Sequence, residues 1–356
     1  MKSDDRLLFF ALDGVGGAER VMVTVAKQLL KRGRSITFVL IRNSQFSGAS
    51  LETLLPSGVE CRRIFWDGQI KFMLDLKKAV ETVNPAVVFS SAMHINQRLL
   101  LLKPFFRDVK FIVRNDNYLY TLPPLKRLCL KLTYRFAECV IAQTEEMGAE
   151  VSMFVDAEKV HVLDNPIDEE LIESKLRAPS PFADGDDSIK FVASGRFAYQ
   201  KGFDILVEAF DMVRKRLPSS TLYILGNYEY DNRKVYDMLR EYVDRNGLRD
   251  CVIFAGYTDN PFAYIKHADV FVLSSRWEGC PNVVLEAKYV GTPVAAARCI
   301  PVIGRLIDEG RTGCLAESEN PRSLAEAMIK ATSLEHGEGG KGVAVNNPKW
   351  IELFNR

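Results

Sequence analysis

Val270-Phe271-Val272-Leu273-Ser274-Ser275-Arg276-Trp277-Glu278-Gly279-Cys280-Pro281-Asn282-Val283-Val284-Leu285-Glu286-Ala287 is a strand, a loop and a helix in succession. Val270–Leu273 is apolar on both faces, as expected of a parallel strand covered by helices. Pro281 suits the start of a helix running through Glu286. Open α/β sheets bind ligands at the carboxyl ends of their strands, so the intervening loop is a candidate site. The free backbone N–H groups of Asn282 and Val283 would face an anion. Glu278, on the loop, and Glu286, in the helix, can both accept hydrogen bonds from the hydroxyls of one ligand over the helix start. A helix cap beside a solvated glutamate would explain two isolated carboxylates. The strand, loop and proline around them favour the ligand.

The same rhythm extends to both ends of the chain. Strands are predicted at Leu7–Leu12, Ile36–Ile41, Ala86–Ser90, Lys110–Val113 and Cys139–Ala142, then at Ile189–Ser194, Thr221–Leu225, Cys251–Ala255, Val270–Leu273 and Pro293–Ala296. Crossover helices are predicted between them. Lys71–Val83 carries Phe72, Leu76, Val80 and Val83 on one stripe and ends at Asn84-Pro85. Phe203–Leu217 repeats the pattern. Two rounds of β-α-β-α predict two doubly wound α/β domains. The turn-rich Ala178-Pro179-Ser180-Pro181 and Asp184-Gly185-Asp186-Asp187 put the boundary near Leu171–Ser188. We expect an N-terminal domain over 1–170 and a C-terminal one over 171–339. The tail 340–356, with apolar Trp350 to Phe354, would cross back onto the first domain.

Composition narrows the classes. The chain has 356 residues, 47% hydrophobic and 26% charged, as in an ordinary globular protein of two domains. Net charge is +1, close to balance on both sides of Leu171, which argues against nucleic acid as a partner. No apolar run approaches the roughly 18 residues of a membrane span. Asp4 and Asp5 stand where a secretory signal needs positive charge. The seven cysteines form no C-x-x-C pair and fit buried free thiols of a cytoplasmic protein.

Two more loops follow strands. In Ser194-Gly195-Arg196-Phe197-Ala198-Tyr199-Gln200-Lys201-Gly202, Gly195 permits a sharp turn. Arg196 can bind phosphate oxygens bidentately and Lys201 as a point charge. A basic pair opposite a helix N-terminus would hold a diphosphate without a metal, although solvated surface cations are common. In Asp13-Gly14-Val15-Gly16-Gly17-Ala18-Glu19-Arg20, the glycines do not match G-x-G-x-x-G, which disfavours a nicotinamide site. Gly16 and Gly17 would let backbone approach a donor closely; a plain strand–helix turn is the alternative.

Together these loops resemble the retaining GT-B glycosyltransferases of family 4, the group 1 glycosyl transferases. The family pattern corresponds to Gly16-Gly17, to Gly195-Arg196 with Lys201-Gly202, and to Glu278 with Glu286. It continues through Gly256-Tyr257-Thr258-Asp259-Asn260-Pro261, Ala268–Ser275 and Gly291-Thr292-Pro293-Val294, covering most of residues 190–335. The resemblance implies two Rossmann-like domains facing across a cleft. It implies that Arg196 and Lys201 hold the donor diphosphate, that Glu278 meets the donor sugar, and that Glu286 meets the ribose. There are departures. Arg305, in Cys299–Ile307, stands where the family has a glutamate, the glycines before it are missing, and the family's long closing helix would be shortened or altered.

Weaker signals remain. His94 follows the strand Ala86–Ser90 and is a catalytic candidate, with a purely structural histidine as the alternative. Arg114 and Asn115 lie on a polar loop at the same edge and are candidates for the acceptor. His161, His267 and His336 have no metal-ligand spacing. Asp184-Gly185-Asp186 spells D-x-D, but turn chemistry explains it better, so no cofactor and no essential metal is expected. Residues Arg98–Arg135 carry nine cations against Asp108 and Asp116, interleaved with leucines and phenylalanines. That fits a helix surface on anionic lipid headgroups, or leucines facing the core beneath a wet cationic face.

The expected activity is transfer of a sugar, with retention, from a nucleotide diphosphate donor to a glycan or lipid-linked glycan acceptor. UDP is favoured as the nucleotide. The enzyme would be cytoplasmic, either free or peripheral on the inner membrane face. A nucleotide-sugar epimerase and a non-catalytic nucleotide-sugar-binding partner subunit are the alternatives.

Overall fold

The computed structural model describes residues 6–42, 50–227, 233–340 and 347–355. The chain folds as two units. One comprises Met1–Ile167 with Ala344–Arg356, the other Asp168–Val343.

The N-terminal unit is a seven-stranded parallel sheet in the order β3-β2-β1-β4-β5-β6-β7. Its strands are β1 (Arg6–Leu12), β2 (Ser35–Arg42), β3 (Glu60–Phe65), β4 (Val87–Ser90), β5 (Lys110–Asn115), β6 (Cys139–Ala142) and β7 (Val160–Val162). Helices α1 (Gly17–Leu30), α2 (Gln69–Val83), α3 (Met93–Leu102), α4 (Pro124–Tyr134) and α5 (Glu145–Ser152) join them. One face of the sheet buries Leu8, Phe10, Val88, Phe111 and Val113 under Phe72 and Leu76 of α2, Ile95 and Leu99 of α3, and Leu130 and Tyr134 of α4. The opposite face packs on α1. Asn84 ends α2 in the left-handed conformation, φ 46°, before Pro85.

The second unit begins with α6 (Glu169–Lys175), opened by Asp168, whose Oδ1 accepts from Leu171 N–H at 3.1 Å. Its six-stranded parallel sheet runs β10-β9-β8-β11-β12-β13. The strands are β8 (Ile189–Ser194), β9 (Ser220–Leu225), β10 (Val252–Gly256), β11 (Val270–Leu273), β12 (Val294–Ala297) and β13 (Gly313–Ala316). Helices α7 (Phe203–Arg216), α8 (Arg233–Arg245), α9 (Pro261–His267), α10 (Asn282–Val290), α11 (Ile303–Leu306) and α12 (Pro321–Ala331) complete it. The turn-rich segment before β8 lies inside this unit, with Phe182 packed on the Tyr223 ring at 4.7 Å.

The last helix, α13 (Lys349–Phe354), belongs to the N-terminal unit. Trp350 is fully buried and donates its indole N–H to the Asp164 carbonyl at 2.9 Å. Phe354 meets Phe9 at 5.7 Å and Phe89 at 5.3 Å. No described helix is long and apolar enough to cross a membrane.

Two sequence expectations need correction. Strands β3, β7 and β13 were absent from the prediction, and all three are sheet edges. The cysteines are free, but only Cys139, Cys251 and Cys314 are buried; Cys129 is exposed on α4.

Candidate active site

In the second sheet the order of connection reverses between β8 and β11, which are paired neighbours. Loops leaving the two strands diverge there and open a crevice, the usual ligand position in such sheets. The Ser194–Gly202 loop leaves β8 and the Ser274–Pro281 loop leaves β11. This is why Lys201 and Glu278, 77 residues apart, meet: Lys201 Nζ donates to Glu278 Oε1 at 2.6 Å. Ser275 Oγ donates to the same oxygen at 2.6 Å.

The two loops are locked together. Ser274 Oγ donates to the Lys201 carbonyl at 2.9 Å, Gln200 Nε2 to the Trp277 carbonyl at 3.0 Å, and Arg276 N–H to the Gln200 carbonyl at 2.8 Å. Gly202 sits at φ +60°, and a Cβ there would collide with the Ser274 carbonyl oxygen, so only glycine fits. Gly195 serves differently from the sharp turn expected. It has no positive φ, and an added Cβ would stand 3.2 Å from the methylenes of Lys201. Its lack of a side chain makes room for the lysine stem.

Arg276 is a site residue with no role in the reading of the loops. Its guanidinium donates to both oxygens of Asp204, at 2.9 and 2.6 Å, to Glu319 Oε2 at 3.1 Å and to the Tyr199 carbonyl at 2.8 Å. It also stacks 3.8 Å from the Tyr199 ring centroid. The Asp204 hydrogen bonds raise the guanidinium pKa further, and Arg276 stays charged at any working pH. Burial alone would raise the Asp204 carboxyl, but the Arg276 bonds and charge outweigh it and hold that carboxyl below its ordinary value. The clamp ties the first turn of α7 to the loop carrying Glu278. An available signal was the placement of opposite charges beside the two motifs, Asp204 after Lys201-Gly202 and Arg276 before Glu278.

Of the other predicted donor-site residues, Arg196 is exposed on the β8 loop, and Asn282 and Val283 open α10. Pro281 is the residue before the helix rather than its first residue. Glu286 is buried in the second turn of α10. The Cys299 thiol is pushed up to about 12 by burial and then by the charge of Glu278, so it stays protonated beside the site. Asp186 lies in the turn before β8, accepting from Ser188 N–H at 2.9 Å and pairing with Lys190 at 3.5 Å. Arg305 is exposed on α11.

In the N-terminal sheet the order of connection reverses between β1 and β4. The predicted loops again follow these two strands: Gly16 precedes α1 and Gly17 is its first residue, while His94 lies in the first turn of α3. His94 stacks on Trp66 with ring centroids 5.5 Å apart, and the Arg98 guanidinium lies 4.5 Å over the same indole. The outer edge of the imidazole is exposed, but its stacked face is not. That burial, with the charges of Arg98 and then Lys126, lowers its pKa to about 4, so it is neutral at pH 7. Trp66 carried no signal in the sequence analysis.

Arg114 and Asn115, the acceptor candidates, are buried at the end of β5. Arg114 donates to Ser91 Oγ and to Asn165 Oδ1, each at 2.6 Å. Gln143 Nε2 donates to the Asn115 carbonyl at 3.0 Å. Both residues therefore brace the loops around β4 and β5 rather than line their surface. Burial pushes the neighbouring Asp116 carboxyl up to about 6, against the opposing pull of Arg114 and backbone N–H groups.

Two parallel sheets flanked by helices, each with its candidate loops at a reversal of strand order, define a protein of two doubly wound, Rossmann-like units. The comparisons go further. The Glycosyltransferase Family 4 model matches residues 15–171, and the Glycosyl transferases group 1 model matches residues 188–333. The chain belongs to glycosyltransferase family 4, group 1, and is a transferase. It is 30% identical over 177 residues to an uncharacterized glycosyltransferase of Methanocaldococcus jannaschii, spanning 48% of this chain and 42% of that one, less than half its length. It is 26% identical over 303 residues to the lipopolysaccharide core biosynthesis glycosyltransferase LpsE of Rhizobium meliloti, covering 80% of this chain and 76% of that one. The crystal structure of Anabaena Alr3699/HepE in complex with UDP and glucose matches with a TM-score of 0.76 at 20% identity, covering 92% of each chain.

Proposed function

We propose that this transferase moves a sugar, with retention, from a UDP-sugar to a hydroxyl of a glycan or lipid-linked glycan in surface polysaccharide or glycoconjugate synthesis. The observation that carries the reading is the apposition of Lys201 and Glu278 at the crevice between β8 and β11, beside the N-terminus of α10. A cation, a carboxylate and the backbone N–H groups of a helix N-terminus at one place suit a diphosphate joined to a polyhydroxylated ring. Arg196 and Lys201 would neutralise the diphosphate. Asn282 and Val283 would add backbone N–H groups, Glu278 would orient the sugar through its hydroxyls, and Glu286 would hold the ribose. The Anabaena neighbour was crystallised with UDP and glucose and with UDP-glucose, which supports uridine as the nucleoside.

The chemistry follows from charge. As the bond from the anomeric carbon to the phosphate oxygen breaks, negative charge grows on the diphosphate, where the fixed positive groups stabilise it. The acceptor hydroxyl attacks from the same face, forms the new glycosidic bond, and passes its proton to the departing phosphate oxygen. His94, neutral at pH 7, is the candidate to orient that hydroxyl. The reading needs no cofactor and no essential metal, the nucleotide sugar being a substrate. The acceptor would be met at the cytoplasmic face of a membrane.

The test is a thermal-shift panel of nucleotide sugars followed by product analysis. One UDP-sugar should raise the melting temperature selectively, and its sugar should appear on an acceptor with the donor's anomeric configuration. Inversion of that configuration, or a shift by no nucleotide sugar, would overturn the reading.

A further inference from the structure

We infer that the outer face of α2, α3 and α4 is a docking surface for an anionic lipid bilayer, with α4 inserted at headgroup depth. Helix α4 packs inward through Leu130, Thr133 and Tyr134. Its opposite side carries Leu125, Leu128 and Leu132, which are 72%, 52% and 49% exposed. Spaced at i, i+3 and i+7, they form one apolar stripe pointing away from the core. Ile70 and Leu74 are likewise exposed on α2, at 80% and 61%, as are Leu101 at the end of α3 and Phe105 in the turn after it. All three helices cover the same sheet face, and Lys77 of α2 reaches the Phe105 ring at 6.0 Å.

Charge identifies the occupant. Lys131 and Arg135 lie beside the leucine stripe, with Arg127 and Lys126 further round the helix, and none of the four makes an ion pair among the described residues. Residues 117–137 contain no carboxylate. Leucines at the apex with cations beside them are the pattern of a helix lying in the plane of a membrane interface, where the leucines enter the acyl boundary and the cations meet anionic headgroups. The structure also trims the strip read from sequence. Arg114 is buried, Lys103 is paired with Glu138, and Leu99, Leu100 and Leu102 face the core, so the surface is α4 with the outer residues of α2 and α3.

The inference deepens the proposed function by giving the acceptor's location, but its test is independent of sugar transfer. The full chain is floated with phosphatidylcholine vesicles and with vesicles that also contain phosphatidylglycerol, at low and high salt. Flotation is expected only with the anionic vesicles at low salt. Lys126→Glu with Arg127→Glu and Lys131→Glu should weaken partitioning at least roughly a hundredfold, at about fivefold per basic residue. Leu125→Ser with Leu128→Ser and Leu132→Ser should also abolish it, with the melting temperature unchanged. An environment-sensitive fluorophore on the exposed Cys129 of α4 should shift to the blue with anionic vesicles, using Cys129→Ser as the labelling control. The inference is overturned if the wild-type chain does not float, or if the serine variant floats as well as wild type. It is also overturned if wild type is a dimer that the serine substitutions separate, because a second copy of the chain then covers the face. A chain that floats but transfers no sugar would refute the proposed function and leave this inference standing.

Discussion

Replacing Arg276 with Ala tests whether the catalytic loops are held from behind. The substitution removes two hydrogen bonds to Asp204, one to Glu319, one to the Tyr199 carbonyl and the stacking on the Tyr199 ring. Breaking a fully buried pair costs about 3–5 kcal/mol. Here the Arg276 side chain is buried, but those of Asp204 and Glu319 are 38% and 57% exposed, so water replaces part of the loss. A stability cost of about 2 kcal/mol is the discounted expectation. The kinetic effect should exceed it. Arg276 follows Ser275 and precedes Glu278 by two residues, so freeing it lets the carboxylate and Lys201 drift, and a displacement of about 1 Å costs about a hundredfold in rate. We expect kcat to fall about thirtyfold to a hundredfold, with a smaller change in donor KM, because Arg276 does not touch the proposed donor position. Arg276→Lys should recover little, since an ammonium cannot span both Asp204 oxygens. Activity is measured well below the melting temperature, and melting is followed separately by circular dichroism. The pH dependence supplies a third check. Asp204 is depressed in the folded chain, so its contribution is complete above its ordinary 3.8 and is lost as pH falls through the lower folded value. The Ala variant should therefore lose less stability than wild type below pH 3.8. Wild-type kcat in the Ala variant under folded conditions would refute the positioning role.

Arg196→Ala and Lys201→Ala should each reduce turnover at least about tenfold in steady-state kinetics, and unchanged rates in both would remove the diphosphate assignment. Glu286→Gln should raise donor KM more than Glu278→Gln does, because ribose contacts bind ground state and transition state alike. Equal effects would mean the two roles are misassigned. Transfer should survive dialysis against a chelator, and a loss restored by a divalent metal would revive Asp184 and Asp186 as ligands. Asp116→Asn should stabilise the chain at pH 8 and remove a pH dependence. Burial raises the Asp116 carboxyl to about 6, so the folded chain binds the extra proton as pH falls from about 6 toward 3.8, and wild-type stability rises over that window. Parallel melting curves of the two proteins across it would contradict the assignment.

Much of this architecture was visible as hydrophobic pattern, and the exceptions have one cause. Every central strand of both sheets was predicted to within two residues at either end, because a strand covered on both faces must be apolar throughout. Strands β3, β7 and β13 each lie at an edge. Glu-Cys-Arg-Arg-Ile-Phe of β3 buries only Ile64, Val160–Val162 is half-exposed, and Gly313–Ala316 opens with a glycine. Edge strands can tolerate charge and brevity, and these three lack the signal, whereas the edge strand β10 is apolar enough to be read. At the candidate site the loops were legible from motif and position, but the apposition of Lys201 and Glu278 was not. It arises from the pairing of β8 with β11, a long-range fact that no local window contains.

Helix α4 marks the deeper limit of periodicity. Leu125, Leu128 and Leu132 recur at the spacing of any core-facing stripe, and Leu130 with Tyr134 recurs on the opposite side. A helical period identifies faces without saying which of two apolar faces turns inward. The packing decides it: Tyr134 OH accepts from buried Asn96 Nδ2 at 3.0 Å, and that same amide donates to the Arg114 carbonyl of β5 at 2.9 Å. That polar anchor and the buried Leu130 and Thr133 beside it hold the tyrosine side inward, because turning Tyr134 away would leave one buried amide hydrogen of Asn96 without its acceptor. The leucines are thereby committed to the outside. Burying them requires a surface beyond this chain, and the cations beside them select an anionic one.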